Sequence, residues 1–377
     1  MNILVLGSRA PIAADITRAL AVSGHRVLVA DSLRIPVAGG TPFAVGCLRL
    51  PSPRLEFSMF QRVLRSKCVE MGIDAIVPVS EEVFWLAAAA DSLPPSVSIR
   101  TSPLAILAGL HDKGRFAALA TELGFGAAEN ILLNSIADVT SISEPEKFVF
   151  KPVFSRFASR VLIRPKRSWL KRVRPTRDQP WLAQTFVAGR ELCAYNVAER
   201  GRLLLHVAYE PTYRIGSGAG VYFSPVVSET LRLMCERFIS ATGFTGQISF
   251  DAIDTGARLV ALECNPRGTS GVHLAAQDPQ ALSETLLGQF GSAARSLKAQ
   301  PRMLLAPLLL KNPMVLLSRS GRRRIRDARD ALANAGIRPG RQAAAFAEIA
   351  WRALRSGISL TESTTADIEW NGEMVDR

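Results

Sequence analysis

The chain offers little to a metal hydrolase or to a disulfide-stabilised fold. Its five cysteines (Cys47, Cys68, Cys193, Cys235 and Cys264) stand singly, with no C-x-x-C pair. An odd number at irregular spacing fits reduced thiols in a cytoplasmic enzyme and excludes a disulfide framework or a zinc knuckle. There are four histidines, none within an H-E-x-x-H motif, so a zinc hydrolase is not expected either. No uninterrupted apolar run approaches the ~18 residues of a membrane span. The start, Met1 to Gly7, is short and lacks a basic flank, so it reads as a buried strand and not as a signal peptide. A GxGxxG loop is missing after it, where the chain runs Gly7-Ser8-Arg9-Ala10-Pro11-Ile12. Dinucleotide binding is therefore not expected, and Asp31 at the end of the second strand reads as a cap.

Apolar material is plentiful. Of 377 residues, 48% are hydrophobic and 21% charged, which excludes a disordered chain. The length suggests two or three domains at roughly 100–200 residues each. The net charge of +13 is concentrated. Residues 160–177 carry +8 and residues 319–341 carry +6, leaving about −1 for everything else. A neutral body with two basic segments does not look like a general nucleic-acid binder, and both segments are expected as solvated faces. Trp169 and Trp181 are too few for a base-stacking platform.

Hydrophobic periodicity predicts strand, helix, strand over 3–7, 12–23 and 26–31, and another strand–helix pair over 73–79 and 81–90. Alternation of this kind implies a parallel sheet. Beyond residue 100, helices are expected through Leu110 and from His111 to Gly124. Strands are expected over 148–153, 181–187, 191–198 and 202–209, and a helix over 230–242. A hairpin over 247–264 turns around Asp254-Thr255-Gly256. Tyr209 to Gly220 reads as a glycine-rich turn whose Arg214 can pair with a carboxylate. His273 reads as a helix-start residue without a catalytic role. An amphipathic helix is expected over 343–355, and Asp367 to Gly372 would fold back as a strand.

The chemistry concentrates in Asp251-Ala-Ile-Asp-Thr-Gly-Ala-Arg-Leu-Val-Ala-Leu-Glu263-Cys-Asn265-Pro-Arg267. Glu263 and Asn265 leave one face of a strand. A carboxylate with an amide oxygen is a hard ligand set suited to Mg²⁺. Asp251 on the partner strand supplies a third oxygen if the turn has odd length and no bulge intervenes, pairing Asp254 with Arg258. Arg267, just beyond, can neutralise a transferring phosphoryl group.

This segment resembles the metal-binding hairpin of the ATP-grasp enzymes. Three other pieces are similar to that superfamily in the same order. Asp112-Lys113 resembles the D-K opening of the ATP-grasp domain. Phe148 to Val153 resembles the strand whose lysine, here Lys151, reaches the nucleotide phosphates. Gln184-Thr-Phe-Val-Ala-Gly-Arg-Glu191 resembles the hinge whose backbone reads adenine and whose glutamate holds the ribose. The resemblance implies an α/β chain. A Rossmann-like pre-ATP-grasp domain would span 1–100, an α+β ATP-grasp domain 101–300 and a helical, basic C-terminal extension 301–377. It implies ATP held by Lys113, Lys151, Gln184, Thr185, Phe186, Val187 and Glu191. Mg²⁺ would sit on Asp251, Glu263 and Asn265, with Mn²⁺ admitted in its place, and Arg267 and Lys151 would be catalytic. One departure is plain: the family's glycine-rich phosphate loop is replaced by Phe154-Ser-Arg-Phe-Ala-Ser-Arg160.

The activity implied is an ATP-dependent ligase joining a small-molecule carboxylate to an amine through an acyl phosphate. A kinase-like phosphotransferase and a non-catalytic ATP- or nucleic-acid-binding module are the alternatives. The expected setting is cytoplasmic, without membrane or nucleic-acid partners, and a homodimer is compatible.

Overall fold

The computed structural model describes residues 1–155, 160–215, 218–289, 295–296 and 299–373. Strand and helix alternate through the first hundred residues, as the apolar pattern requires. β1 (Asn2–Leu6), α1 (Pro11–Val22), β2 (Arg26–Asp31), β3 (Gly46–Arg49), α2 (Phe57–Glu70), β4 (Ala75–Pro78), α3 (Glu82–Ala89) and β5 (Ser98–Ile99) follow one another. The five strands form a parallel sheet in the order β3-β2-β1-β4-β5. Ile3, Val5, Val27, Val29 and Val77 are fully buried, the condition of a sheet covered on both faces.

Two helices, α4 (Leu104–His111) and α5 (Lys113–Glu122), lead out of this layer. Asp112 caps α5, its Oδ1 accepting from the amides of Gly114 and Arg115 at 2.8 and 3.0 Å. The cap fixes Lys113 at the first helical position. There follow β6 (Gly126–Ala127), β7 (Asn130–Leu133), α6 (Ile136–Ser141), β8 (Phe148–Pro152), β9 (Leu162–Ile163) and β10 (Trp181–Thr185). Four of them make a small sheet in the order β7-β10-β8-β9. Its core of Leu133, Val139, Phe150 and Trp181 also takes Leu170 and Val173. The basic stretch 160–177 is thus not simply a solvated face. Its apolar members anchor it while its arginines stay outside.

The rest of the chain builds a large sheet and its cover. The elements are β11 (Arg190–Glu199), β12 (Arg202–Arg214), β13 (Gly220–Val226), α7 (Glu229–Thr242), β14 (Gly246–Asp254), β15 (Leu259–Asn265), α8 (Val272–Ala275) and α9 (Pro279–Leu286). Then come β16 (Arg295–Ser296), β17 (Arg302–Met303), α10 (Leu305–Lys311), α11 (Arg319–Asp327), β18 (Arg329–Asp330), α12 (Ala331–Asn334), α13 (Pro339–Ser356) and α14 (Leu360–Ser363). The order is β18-β17-β13-β12-β11-β14-β15-β6, with β16 beside β12. β12 runs to Arg214 instead of stopping at Tyr209, because β13 pairs with its extension. Much of the expected 209–220 turn is therefore strand. One apolar cluster containing Phe84, Phe116, Phe238, Phe250 and Trp370 joins the first sheet to the large one. Among the described residues no helix is long and apolar enough to cross a membrane.

The segment after α14 does fold back, but as turns and not as the expected strand. It is pinned individually: the Ile368 carbonyl accepts from Trp85 Nε1 at 2.8 Å, and Trp370 stacks on Phe84 at 5.0 Å.

Candidate active site

The β14–β15 hairpin sets the centre of the site. Asp254 pairs with Leu259 and Ala252 with Ala261, so the turn holds four residues, 255–258. The odd-length turn expected from the sequence does not form. With an even turn alone, Asp251 would face Leu262, and Glu263 would point to the opposite side. A bulge corrects this. Leu262 is an extra residue in β15, and beyond it Asp251 pairs with Glu263 and Ser249 with Asn265. Asp251 and Glu263 therefore share a face after all, and Asn265 Nδ2 lies 3.4 Å from Asp251 Oδ2.

The charges here depend on one another. Burial, and then the neighbouring Glu263, push the Asp251 carboxyl well above the usual carboxylate range. Burial opposes ionisation of Glu263 as well, but Lys113 and Lys151 together outweigh it and hold that carboxyl below the usual carboxylate range. The two ammonium groups approach the same oxygen, Glu263 Oε2, at 3.5 and 4.0 Å. Both lysines are buried, at 3% and 6% exposure, so each charge is costly unless compensated. Burial first, with Lys113 helping and Glu263 opposing, lowers the Lys151 ammonium to about 8. Two buried cations sharing one ionised carboxylate make a natural seat for an anion. Lys113 Nζ also donates to the Ser155 carbonyl at 3.2 Å, which ties α5 to the start of the expected phosphate loop. Residues 156–159 of that loop lie outside the described residues.

The two carboxylates, paired across the hairpin, are the hard oxygen donors a divalent cation takes, while the Asn265 amide turns its nitrogen to Asp251 and its oxygen to Arg267. Among the described residues no group of three or more His, Cys, Asp or Glu side chains is placed to hold a metal. Such an ion would draw its remaining oxygens from phosphates and water.

The hinge, 184–187, joins the small sheet to the large one. The amides of Thr185 and Phe186 are already given to the carbonyls of Glu129 and Lys147, each at 2.8 Å. Adenine contacts there would fall to carbonyls and to Val187. Gln184 is buried, and its Nε2 has no hydrogen-bond partner among the described residues. Glu191 opens β11 and is ion-paired with Arg214, so the arginine expected to meet a carboxylate has one within the chain.

Arg267 does not stand alone beyond the hairpin. Its Nε donates to Glu81 Oε1 at 2.8 Å and its Nη2 to Asn265 Oδ1 at 3.1 Å. It thus couples the β14–β15 hairpin to the end of the first sheet. A Cβ at Gly268 would lie 2.8 Å from the Val79 carbonyl, so glycine permits this close approach. His273 is buried and bonded to Asp15 at 2.6 Å.

Sequence reasoning missed the far wall of the site. Arg9 lies past β1 and is buried against Asp31, Ser32 and Asp367. The Asp367 segment thus covers the carboxyl ends of β1 and β2, where open α/β sheets usually take ligands. Between this segment and the small sheet lies a cavity of about 350 Å³, lined by Arg54, Phe154, Ser155, Arg160, Trp181 and Glu369 among others. The only signal was an acidic–aromatic run, Asp367 to Trp370, with nothing to say where it docks.

No family model and no curated protein matches the chain. Solved structures do. An L-amino acid ligase from Bacillus licheniformis is 16% identical, with a TM-score of 0.61 over 80% of this chain and 79% of that one. N5-carboxyaminoimidazole synthetase from Staphylococcus aureus is 14% identical, at 0.62 over 83% and 85%. The biotin carboxylase domain of Hydrogenobacter thermophilus 2-oxoglutarate carboxylase, solved with MgADP, ADP and bicarbonate, is 12% identical, at 0.62 over 78% and 71%. The chain has the ATP-grasp fold.

Proposed function

We propose that the chain is an ATP-dependent ligase joining a carboxylate to an amine through an acyl phosphate. The observation that carries this reading is the pair of buried lysines on Glu263, directly across β14–β15 from Asp251. Lys113 and Lys151 would receive the β- and γ-phosphates. The base would lie along 184–187, where Gln184 Nε2 lacks a partner, and Glu191 would exchange Arg214 for the ribose hydroxyls. Residues 1–100 would act as the pre-ATP-grasp domain and residues 101–300 as the nucleotide-binding one.

Mg²⁺ fits Asp251, Glu263 and Asn265, and when bound it would neutralise phosphate charge. The other roles belong to the chain itself. Arg267, held between Glu81 and Asn265, would present its remaining donor capacity to the transferring phosphoryl group. The cavity beside Ser155 would place the carboxylate next to the Lys113 end of the phosphates. The C-terminal segment would shield the acyl phosphate from water there.

The test is ADP release with amino acids and small carboxylates, offered singly and in pairs. Turnover that needs a carboxylate together with an amine supports the ligase. A phosphorylated product without condensation would replace it with a phosphotransferase. Glu263→Gln should keep the fold and lose most Mg²⁺-dependent ADP release. Full activity in that variant would remove the metal assignment.

A further inference from the structure

The arginines after residue 318 are not among the side chains that meet at the β14–β15 hairpin, and solvation alone does not account for their surroundings. α10, the 3₁₀ turn over Pro313–Leu316 and α11 form one surface unit on β13. It is anchored by Leu308, Val315 and Ala328, which pack with Val221, Tyr222 and Met303. Four large apolar side chains of the unit face outward. Leu310 is 75% exposed, Met314 69%, Leu316 46% and Leu317 69%. Around them stand Lys311, Arg319, Arg322, Arg323, Arg324 and Arg326, all exposed, with no acidic residue from 310 through 326.

The apolar turn and the basic helix are locked together. A Cβ on Gly321 would lie 2.1 Å from the Val315 carbonyl, so α11 reaches the turn at a distance only glycine allows. Arg322 Nη1 donates to the carbonyls of Leu316 and Leu317 at 2.8 and 3.1 Å, satisfying the end of the turn. The knob and its cations therefore stand side by side in one surface unit.

The chemistry of that face selects its partner. A second copy would bring the same cations and be repelled. A nucleic acid would use the cations but not four apolar side chains, and the ring beside them, Tyr213 at Arg324, is half-buried. Leu310 lies in the last turn of α10 while Met314, Leu316 and Leu317 sit on or just after the tight turn, so the four form no continuous helical stripe or sheet edge and offer a protein little to fill a groove. A short apolar knob beneath a cationic helix suits the boundary between anionic headgroups and acyl chains. We propose that residues 310–326 dock this chain on the surface of an anionic phospholipid bilayer. The four apolar side chains enter the acyl boundary, and the cations meet the headgroups.

The experiment is co-sedimentation of the full chain with vesicles of phosphatidylcholine, alone or mixed with phosphatidylglycerol. Binding should appear with the mixed vesicles and weaken with added salt. Arg319→Gln with Arg326→Gln should weaken it roughly 30-fold, at about fivefold per cation. Leu316→Gln with Leu317→Gln should weaken it about tenfold, with the unfolding midpoint unchanged. An environment-sensitive dye on a Met314→Cys variant should shift to the blue with mixed vesicles only. Equal binding to both vesicle types, or none to either, overturns the proposal. So does unchanged binding by the leucine variant, or equally tight binding of polyglutamate, since either would reduce the face to a plain cation patch.

Discussion

Asp367→Asn probes how firmly the C-terminal segment closes the site. The Asp367 carboxylate sits on Arg9 Nη1 and, at 3.2 Å, on Nη2. It also accepts from Ser32 Oγ at 2.5 Å and from Arg352 Nη1 at 3.2 Å. Burial alone would raise its pKa, but Arg9, Ser32 and Arg352 together outweigh burial and bring it from 3.8 to about 2. A depression of that size corresponds to roughly 2–3 kcal/mol of folding stability at neutral pH. The folded state prefers the ionised form, so this stability is complete above the unfolded value of 3.8 and is lost as pH falls toward 2. Asparagine keeps the shape but not the charge, leaving Arg9 with Asp31 alone. Urea unfolding at pH 7 should therefore show the variant destabilised by about 2–3 kcal/mol. The gap to wild type should narrow steadily below about pH 4. Limited proteolysis should cut the variant's C-terminal segment sooner. Equal stability at pH 7, or a gap that ignores pH, would refute the assignment of this carboxylate as the clasp.

Lys151→Ala should weaken ATP about 10–100-fold and leave adenosine unchanged, whereas Glu191→Ala should weaken both; calorimetric titration of the two ligands separates these outcomes. Glu82 is buried, and burial raises its carboxyl from 4.5 to about 7. Its contribution is therefore complete below about pH 4.5 and lost as pH rises through 7, and Glu82→Gln should remove that decline from the stability profile. Replacing Arg322, Arg323 and Arg324 together with glutamine should leave ATP turnover within about twofold, since their contacts stay within the 310–327 unit and with Tyr213 and Tyr222. Loss of turnover in the folded variant would draw this unit into the active site.

Local pattern carried the reading of the first sheet, because β1, β2 and β4 are continuous apolar runs closed by glycine, aspartate or proline. The β14–β15 hairpin was legible in its residue types but not in its path. Turn length and the bulge at Leu262 depend on how β15 meets β14 and β6, and no local signal marks an extra residue. Arg267 was visible as a cation, while its partner Glu81 lies 186 positions away. The hinge spacing anticipated the link between β10 and β11, but not that two of its amides are already taken. Short strands such as β6, β17 and β18 hold only two residues each and leave no periodicity to read. The clasp on Arg9 was the least legible feature, since one aspartate in an irregular segment has no pattern at all.

That clasp also sets a schedule for synthesis. Arg9 and Asp367 are 358 positions apart, so at roughly 5–20 residues per second the arginine is made some 20–70 s before its carboxylate. During that interval the first sheet can assemble around Asp31, but the crevice beyond β1 and β2 stays uncovered. A nascent chain would carry an open, charged cleft that the finished protein never shows. A pause in translation just before Asp367 would prolong that state, and chaperones would meet the protein there with its three sheets formed and this wall missing.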